Sequence, residues 1–206
     1  MTEKTFHSSS SPKRLCRRGF TLTELAIVLG VIGIILGAIW AAASHTYSNY
    51  RTQKAVSQIL TIVQSVRSIY SKGVFAAGDP IWLNFTNVLI NSNAVPGDMI
   101  VPCAGLPWNT GGQCIVNPWN GEVILDTQAN WGGAPVSTSL FEIQISEPGP
   151  PYCMQFLSAL VQSATQNGLV WAYTANTGGV AVTPQTQPSQ FNGCGGNIVL
   201  QFTLSG

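Results

Sequence analysis

Apolar and polar positions along the chain fall into three regimes. Residues 25–43 are almost wholly apolar, and no charged side chain occurs from residue 25 to residue 50. A helix that crosses a bilayer needs about 20 such residues, whereas a secretory signal has an apolar stretch of about 7–15. The run is therefore long enough to span, and no second run of this length follows. A second regime begins near residue 53. Val56, Ile59, Leu60, Val63, Val66, Ile69 and Tyr70 recur at helical spacing, and Gln53, Lys54, Ser57, Gln58, Thr61, Gln64, Ser65 and Ser68 take the other face. That pattern predicts an amphipathic helix with one stripe for a core. Lys72 suits its last turn and Gly73 its C-terminal stop. With no breaker between the two regimes, one helix is predicted over residues 20–72, roughly 80 Å long at 1.5 Å per residue.

The third regime is irregular. Residues 74–120 are rich in turn signals such as Gly78-Asp79-Pro80, Pro96-Gly97-Asp98 and Asn117-Pro118, and read as a connecting region with a short helix near residues 81–90. Strands are predicted at 122–127, 140–146, 169–174 and 198–204, where residues alternate or are β-branched between turn residues. Phe156, Leu157, Leu160, Val161 and Ala164 keep a helical period over residues 152–166, with Pro150 and Pro151 well placed at its start. The expected fold class is α+β, with the long N-terminal helix packed on an antiparallel β-sheet head.

Charge changes this picture in two ways. Lys+Arg number 9 and Asp+Glu 8, about 8% of the chain, against a typical ~25%. With a net charge of +1, no direct nucleic-acid binding is expected. The charges are also unevenly placed. Lys4, Lys13, Arg14, Arg17 and Arg18 against Glu3 give residues 1–19 a balance of +4, and residues 20–206 carry −3. A basic segment ahead of a spanning run stays cytoplasmic, which puts the head on the opposite side of the membrane.

Candidate chemistry is sparse. His7 and His45 are the two histidines, which counts against a zinc enzyme or a histidine-based hydrolase, and no metal or cofactor is expected. The carboxylate pairs Glu122 with Asp126 and Glu142 with Glu147 read as solvated strand edges. No Gly-x-Ser-x-Gly elbow occurs, and Gly111-Gly112 and Gly195-Gly196 read as turns rather than phosphate cradles. The chain is not expected to be an enzyme. Trp82, Trp108, Trp119, Trp131 and Trp171 could stack on a glycan, although aromatics of this kind more often pack in a core or an interface. Asn84-Phe85-Thr86 has the form of a glycosylation sequon.

One acid stands out. Glu24 lies at the edge of the apolar run, where an ionisable group is a functional hypothesis and needs a partner. A small-residue stripe accompanies it: Ala26, Gly30, Gly33, Gly37, Ala41 and Ser44 recur at spacings of 4, 3, 4, 4 and 3. Gly33-xxx-Gly37 is a small-xxx-small pair that lets helices approach closely. The segment Arg17-Arg18-Gly19-Phe20-Thr21-Leu22-Thr23-Glu24, with the apolar run behind it, resembles the processing site of type IV pilins and related pseudopilins. The resemblance implies cleavage after Gly19 by a membrane prepilin peptidase, N-methylation of Phe20, and a role in assembly for Glu24, the fifth residue of the mature chain. It also implies a cleaved basic leader at 1–19, a long helix at 20–73 (20–44 in membrane or filament core, 45–73 on the head) and an extracytoplasmic head at 74–206. Many type IV pilins have a helix-kinking proline where this chain has Ala41, so any kink is expected at Gly30, Gly33 or Gly37.

Cysteine usage agrees with export. Cys16 falls in the leader, which leaves Cys103, Cys114, Cys153 and Cys194. An even set outside the cytoplasm implies two disulfides with three possible connectivities. The favoured one is Cys103–Cys114 with Cys153–Cys194, adding about 3 and 4 kcal/mol by loop entropy. The length of the leader and the cysteine-bounded C-terminal region resemble the type IVb subgroup, and Asn117-Pro118-Trp119-Asn120-Gly121 is similar to a turn seen in several such pilins. The expected function is a structural pilus subunit, held in the bacterial inner membrane before assembly and extracellular after it. Its implied partners are other pilin subunits and the inner-membrane assembly machinery. The alternatives are a minor pilin, a type II secretion pseudopilin, or, from another class, a membrane-anchored monomeric binding or enzymatic domain.

Overall fold

The computed structural model describes residues 20–70, 83–103, 112–127, 137–146, 150–174, 178–191 and 196–205. The chain divides into two units, Met1–Ser44 and His45–Gly206. Helix α1 (Leu22–Ile69) is continuous over 48 residues, with no break at Gly30, Gly33 or Gly37. In the first unit every large apolar side chain described, from Phe20 to Trp40, is exposed.

The second unit holds the core. Helices α2 (Leu83–Asn91), α3 (Pro150–Gln162) and α4 (Ala164–Asn167) accompany strands β1 (Ile100–Pro102), β2 (Gln113–Val116), β3 (Glu122–Thr127), β4 (Leu140–Ile145), β5 (Leu169–Thr174), β6 (Gly178–Ala181) and β7 (Ile198–Thr203). Among the described residues these seven strands form one sheet, in the order β1-β2-β3-β4-β7-β5-β6, with every pairing antiparallel. The C-terminal strand β7 therefore lies inside the sheet, paired on both sides. Its residues Ile198–Phe202 are all buried, as a central strand requires.

One face of the sheet carries Leu125, Ile143, Leu200 and Ala172 in register, all fully buried. They belong to one cluster with Ile59, Ile62, Val63 and Val66 of α1 and with Phe85, Phe156, Leu157 and Leu160. The buried stripe of α1 is Thr52, Ala55, Gln58, Ile59, Ile62, Val63 and Val66. This is a rotation of the predicted stripe: Ala55 and Ile62 are in, Ile69 is exposed, and Val56 and Leu60 are half-buried. Gln58, expected on the polar face, is buried, and its Nε2 donates to the exposed Asp98 Oδ2 at 3.0 Å.

The region 74–120, expected to be connecting chain, contains β1 and β2 as well as α2. Strand β2 pairs only with Glu122 and Val123 of β3, so the edge of β3 beyond Val123 needs other partners. Thr86 on α2 supplies them. Its buried hydroxyl donates to Leu125 O at 3.0 Å and accepts from Leu125 N at 3.1 Å. Within the sequon Asn84-Phe85-Thr86, Phe85 and Thr86 are buried, and the Asn84 side chain lies outside what is described. Thr86→Val removes both bonds and strands a buried N–H and C=O. It is expected to cost about 1–3 kcal/mol, read as a lower denaturation midpoint of the full chain in detergent.

The carboxylate pairs also differ from expectation. Asp126 and Glu142 are not solvated; they are 5% and 2% exposed. They sit directly opposite each other on β3 and β4, and Glu142 in turn faces Gln201, which faces Trp171. Gln201 Nε2 donates to Glu142 Oε1 at 3.2 Å. Glu122 is half-buried, and Glu147 lies outside the described residues.

Candidate assembly surface

The amino end of α1 is built by local chemistry. Thr21 precedes the helix and Glu24 is three residues on, the spacing of a capping box. The bonds are reciprocal. Glu24 N donates to Thr21 Oγ1 at 3.3 Å, and Thr21 N donates to Glu24 Oε2 at 2.8 Å. The Thr21 hydroxyl also donates to Glu24 Oε2, at 2.9 Å. One carboxylate oxygen is thus occupied within the chain, while Oε1 has no partner among the described residues. Thr21 is the residue the motif reading missed. Its signal, Thr-x-x-Glu ahead of an apolar run, was present in the sequence.

Behind this cap the helix offers apolar surface alone. Phe20 is 84% exposed and Trp40 79%. A Cβ added at Gly30, Gly33 or Gly37 would meet nothing within 4 Å, so these positions form open shallow backbone on a bare helix. Exposed apolar surface of this extent marks a membrane or protein contact. Gly19, the residue before the expected cut, lies outside the described residues.

Within the second unit, the C-terminal half of α1 is tied to the sheet and its loops by polar contacts. Lys54 Nζ lies 2.7 Å from Asp98 Oδ2, tying α1 to the short 3-10 helix Gly97–Met99. The hydrogen bond from Lys54 is the main reason the Asp98 carboxyl titrates below its ordinary value, and the same bond raises Lys54. A depressed carboxyl contributes stability above its unfolded pKa, about 3.9, and loses it as pH falls through the folded value. Asp98→Asn is therefore expected to lower the melting temperature at neutral pH, with the gap from the unsubstituted chain closing below about pH 4. A pH-independent gap would contradict the assignment.

The turn Asn117–Gly121 is fixed by one side chain. Asn117 Oδ1 accepts from Trp119 N at 2.8 Å and Gly121 N at 3.0 Å, and Asn117 Nδ2 donates to Ser146 O at 2.7 Å. Trp119 is half-buried and packs on Phe156 and Tyr152, each ring centroid 6.0 Å away, which places it against the core. Trp82, Trp108 and Trp131 lie outside the described residues. Further along α1, Arg67 donates to Thr203 O at 3.0 Å and Asn167 O at 3.0 Å, closing the C-terminal strand onto the helix. Partial burial draws its guanidinium below the ordinary arginine range.

Cys103 and Cys114 are joined, with Cα atoms 5.6 Å apart across β1 and β2. Cys153 is also a half-cystine and is buried. Cys194, expected as its partner, lies outside the described residues. Among those residues no group of three or more His, Cys, Asp or Glu side chains is placed to hold a metal.

Comparison with known proteins adds two findings. Residues 14–40 match the model of the prokaryotic N-terminal methylation motif. The fold is similar to that of the type IVb pilin from Salmonella typhi, with TM-score 0.53 and 16% identity over 74% of this chain and 98% of that one. The chain thus combines the N-methylation motif with the pilin fold, a long apolar N-terminal helix and a disulfide-bonded head, features that support a type IV pilin.

Proposed function

We propose that this chain is a structural subunit of a type IV pilus, cut after Gly19, methylated at Phe20 and polymerised through α1. Motif and fold support the broader reading of a pilin or pseudopilin and a structural rather than enzymatic role. The observation that carries the finer one is the bare apolar helix with a single carboxylate, Glu24, half-satisfied at its start. Before cleavage the +4 leader holds the chain on the cytoplasmic side. Cleavage removes that anchor and leaves an α-amine at Phe20, whose reference pKa of about 7.7–8.0 makes it largely cationic. When the helices leave lipid for a protein core, Glu24 needs a cation, because an unpaired charge in low dielectric is costly. The Phe20 amine of a neighbouring subunit supplies it at Oε1, while Thr21 keeps Oε2. The pairing fixes axial register between subunits, and Gly30, Gly33 and Gly37 give the close approach that helix packing needs.

In this scheme 1–19 is the leader, 20–44 the membrane and filament segment, 45–73 the part of the long helix packed on the head, and 74–206 the extracytoplasmic head, closed by a second disulfide, Cys153–Cys194. The partners are other copies of the chain, the prepilin peptidase and the inner-membrane assembly machinery. Mass spectrometry of membrane and sheared extracellular fractions tests the scheme. The expected result is a chain beginning at N-methylated Phe20 and dominating the sheared fibres. An intact Met1, or a cut near Ala41–Ser44, would favour a monomeric anchored domain. A processed chain absent from fibres would favour a pseudopilin.

A further inference from the structure

Tyr47, Tyr50, Arg51 and Lys54 follow one another at i, i+3, i+4 and i+7 on α1, one continuous stripe. Tyr47 and Tyr50 are 57% and 61% exposed, which is unusual for aromatics beside a folded head. The stripe forms one wall of a groove of about 290 Å³, whose other wall is Asp98, Val101, Val116 and the turn from Asn117 to Asn120. The two cations differ. Lys54 is held by Asp98, whereas Arg51 has no carboxylate within 4.0 Å among the described residues. Its guanidinium lies over the Tyr47 ring, 4.6 Å from the centroid. That contact occupies one face of the guanidinium and leaves its N–H fork available, the geometry that pairs with a phosphate.

We infer that this groove docks the phosphate of an anionic phospholipid headgroup on the exit side of the membrane, with Arg51 as the phosphate ligand and Tyr47 and Tyr50 as interfacial anchors. The inference rests on the proposed membrane-inserted state. Three observations favour a lipid over a soluble anion. Tyr47 and Arg51 lie four and eight residues beyond Ala43, the end of the apolar run, one to two helical turns into the headgroup zone. Tyrosine and arginine are the residues that anchor a spanning helix at that depth. Helical side chains lean toward the N-terminus, here toward the bilayer, which lets Arg51 reach down to it. Removal of the leader gives the contact a role. Once the five basic residues of 1–19 are gone, Arg51 is the first side-chain cation flanking the run, and it holds the processed subunit at a fixed depth until it is taken into a fibre.

The test uses the full processed chain in phosphatidylcholine nanodiscs with phosphatidylglycerol titrated in, scoring retained lipid by native mass spectrometry. The unsubstituted chain is expected to retain phosphatidylglycerol in preference to phosphatidylcholine. Arg51→Gln should lower that preference about fivefold, and Arg51→Lys should restore part of it. Arg51 makes no hydrogen bond within the described head, and its replacement loses only its stacking on the exposed Tyr47 ring, so the melting temperature of Arg51→Gln should fall by no more than a few degrees, separating lost docking from lost folding. Equal retention by Arg51→Gln and the unsubstituted chain would overturn the inference while leaving the pilus reading intact. Arg51-dependent binding of inorganic phosphate by a chain that shows no preference for phosphatidylglycerol over phosphatidylcholine would assign the groove to a soluble anion and overturn it also. A processed chain that fails to enter nanodiscs at all would overturn both the inference and the membrane stage beneath it.

Discussion

Replacing Glu24 with Val is expected to abolish fibres while leaving the chain in the membrane. The substitution removes the one charge at the edge of the apolar run, so insertion becomes easier; a central carboxylate costs roughly 2.5–3.5 kcal/mol on insertion scales and an edge one less. Assembly loses the counter-ion of the Phe20 amine. That amine would then be buried without a partner, and breaking a buried pair by deleting one member costs about 3–5 kcal/mol. Summed along a fibre, one such defect per subunit prevents growth. The check is the yield of sheared fibres against the amount of chain in the membrane fraction. Normal fibre yield from Glu24→Val would exclude the pairing.

The capping box separates two roles for the same carboxylate. Thr21→Val removes the hydroxyl that both accepts from Glu24 N and donates to Oε2. Lost N-caps cost about 1 kcal/mol. Thr21→Val should therefore weaken the first turn and lower fibre yield, without the complete loss expected of Glu24→Val. If both variants were equally devoid of fibres, orientation of the carboxylate by Thr21 would matter as much as its charge.

The second large effect is in the head. Gly121 lies so close to Ser146 that a Cβ there would strike the Ser146 carbonyl, and Asn117 Nδ2 as well. The Asn117–Ser146 bond is what closes the turn onto the end of β4. Gly121→Ala must therefore push apart two backbone segments, and Asn117→Ala leaves two turn amides and the Ser146 carbonyl without their partner. Each variant is expected to cost about 2–4 kcal/mol, seen as a drop in melting temperature and increased proteolysis of the head. Asn120 supplies the control. It adopts φ +64°, a conformation glycine accepts freely, so Asn120→Gly should be near neutral and Asn120→Val clearly destabilising. Similar stabilities for Gly121→Ala and Asn120→Gly would mean that the turn does not hold the head together as described.

Much of this architecture was legible in the sequence, and the failures have physical causes. The long helix was readable because two different apolar patterns abut without a breaker. Strands β3, β4, β5 and β7 were readable because each has six residues with strong β character between turn residues. Strands β1, β2 and β6 have three or four residues, and the two at the sheet edges include Pro102 and Gly178-Gly179, which have low strand preference. Their strand geometry comes from pairing with neighbours, which local propensity does not encode. The buried row of Asp126, Glu142 and Gln201 was invisible for a related reason. Alternation assigns polar residues to a solvated face, whereas burial of a sheet's second face depends on tertiary packing. The rotated stripe of α1 brings in Ala55 and Ile62 and buries Gln58, whose amide reaches the exposed Asp98 carboxylate at the edge of the core.

At the candidate site, Glu24 stood out as the lone acid at the edge of the apolar run and the glycines by their spacing, whereas Phe20 came from the resemblance to pilins. What spacing could not show is that the two oxygens of Glu24 are inequivalent. Thr21 holds Oε2, so Oε1 alone is open to a neighbour.

The most direct measurement is a helical reconstruction of the assembled fibre at a resolution that shows side chains. The account predicts the Phe20 nitrogen of one subunit within about 4 Å of Glu24 Oε1 in another, the reach of an ion pair, with Thr21 still bonded to Oε2. A fibre in which Glu24 contacts only its own chain, with Phe20 nitrogen elsewhere, would contradict it.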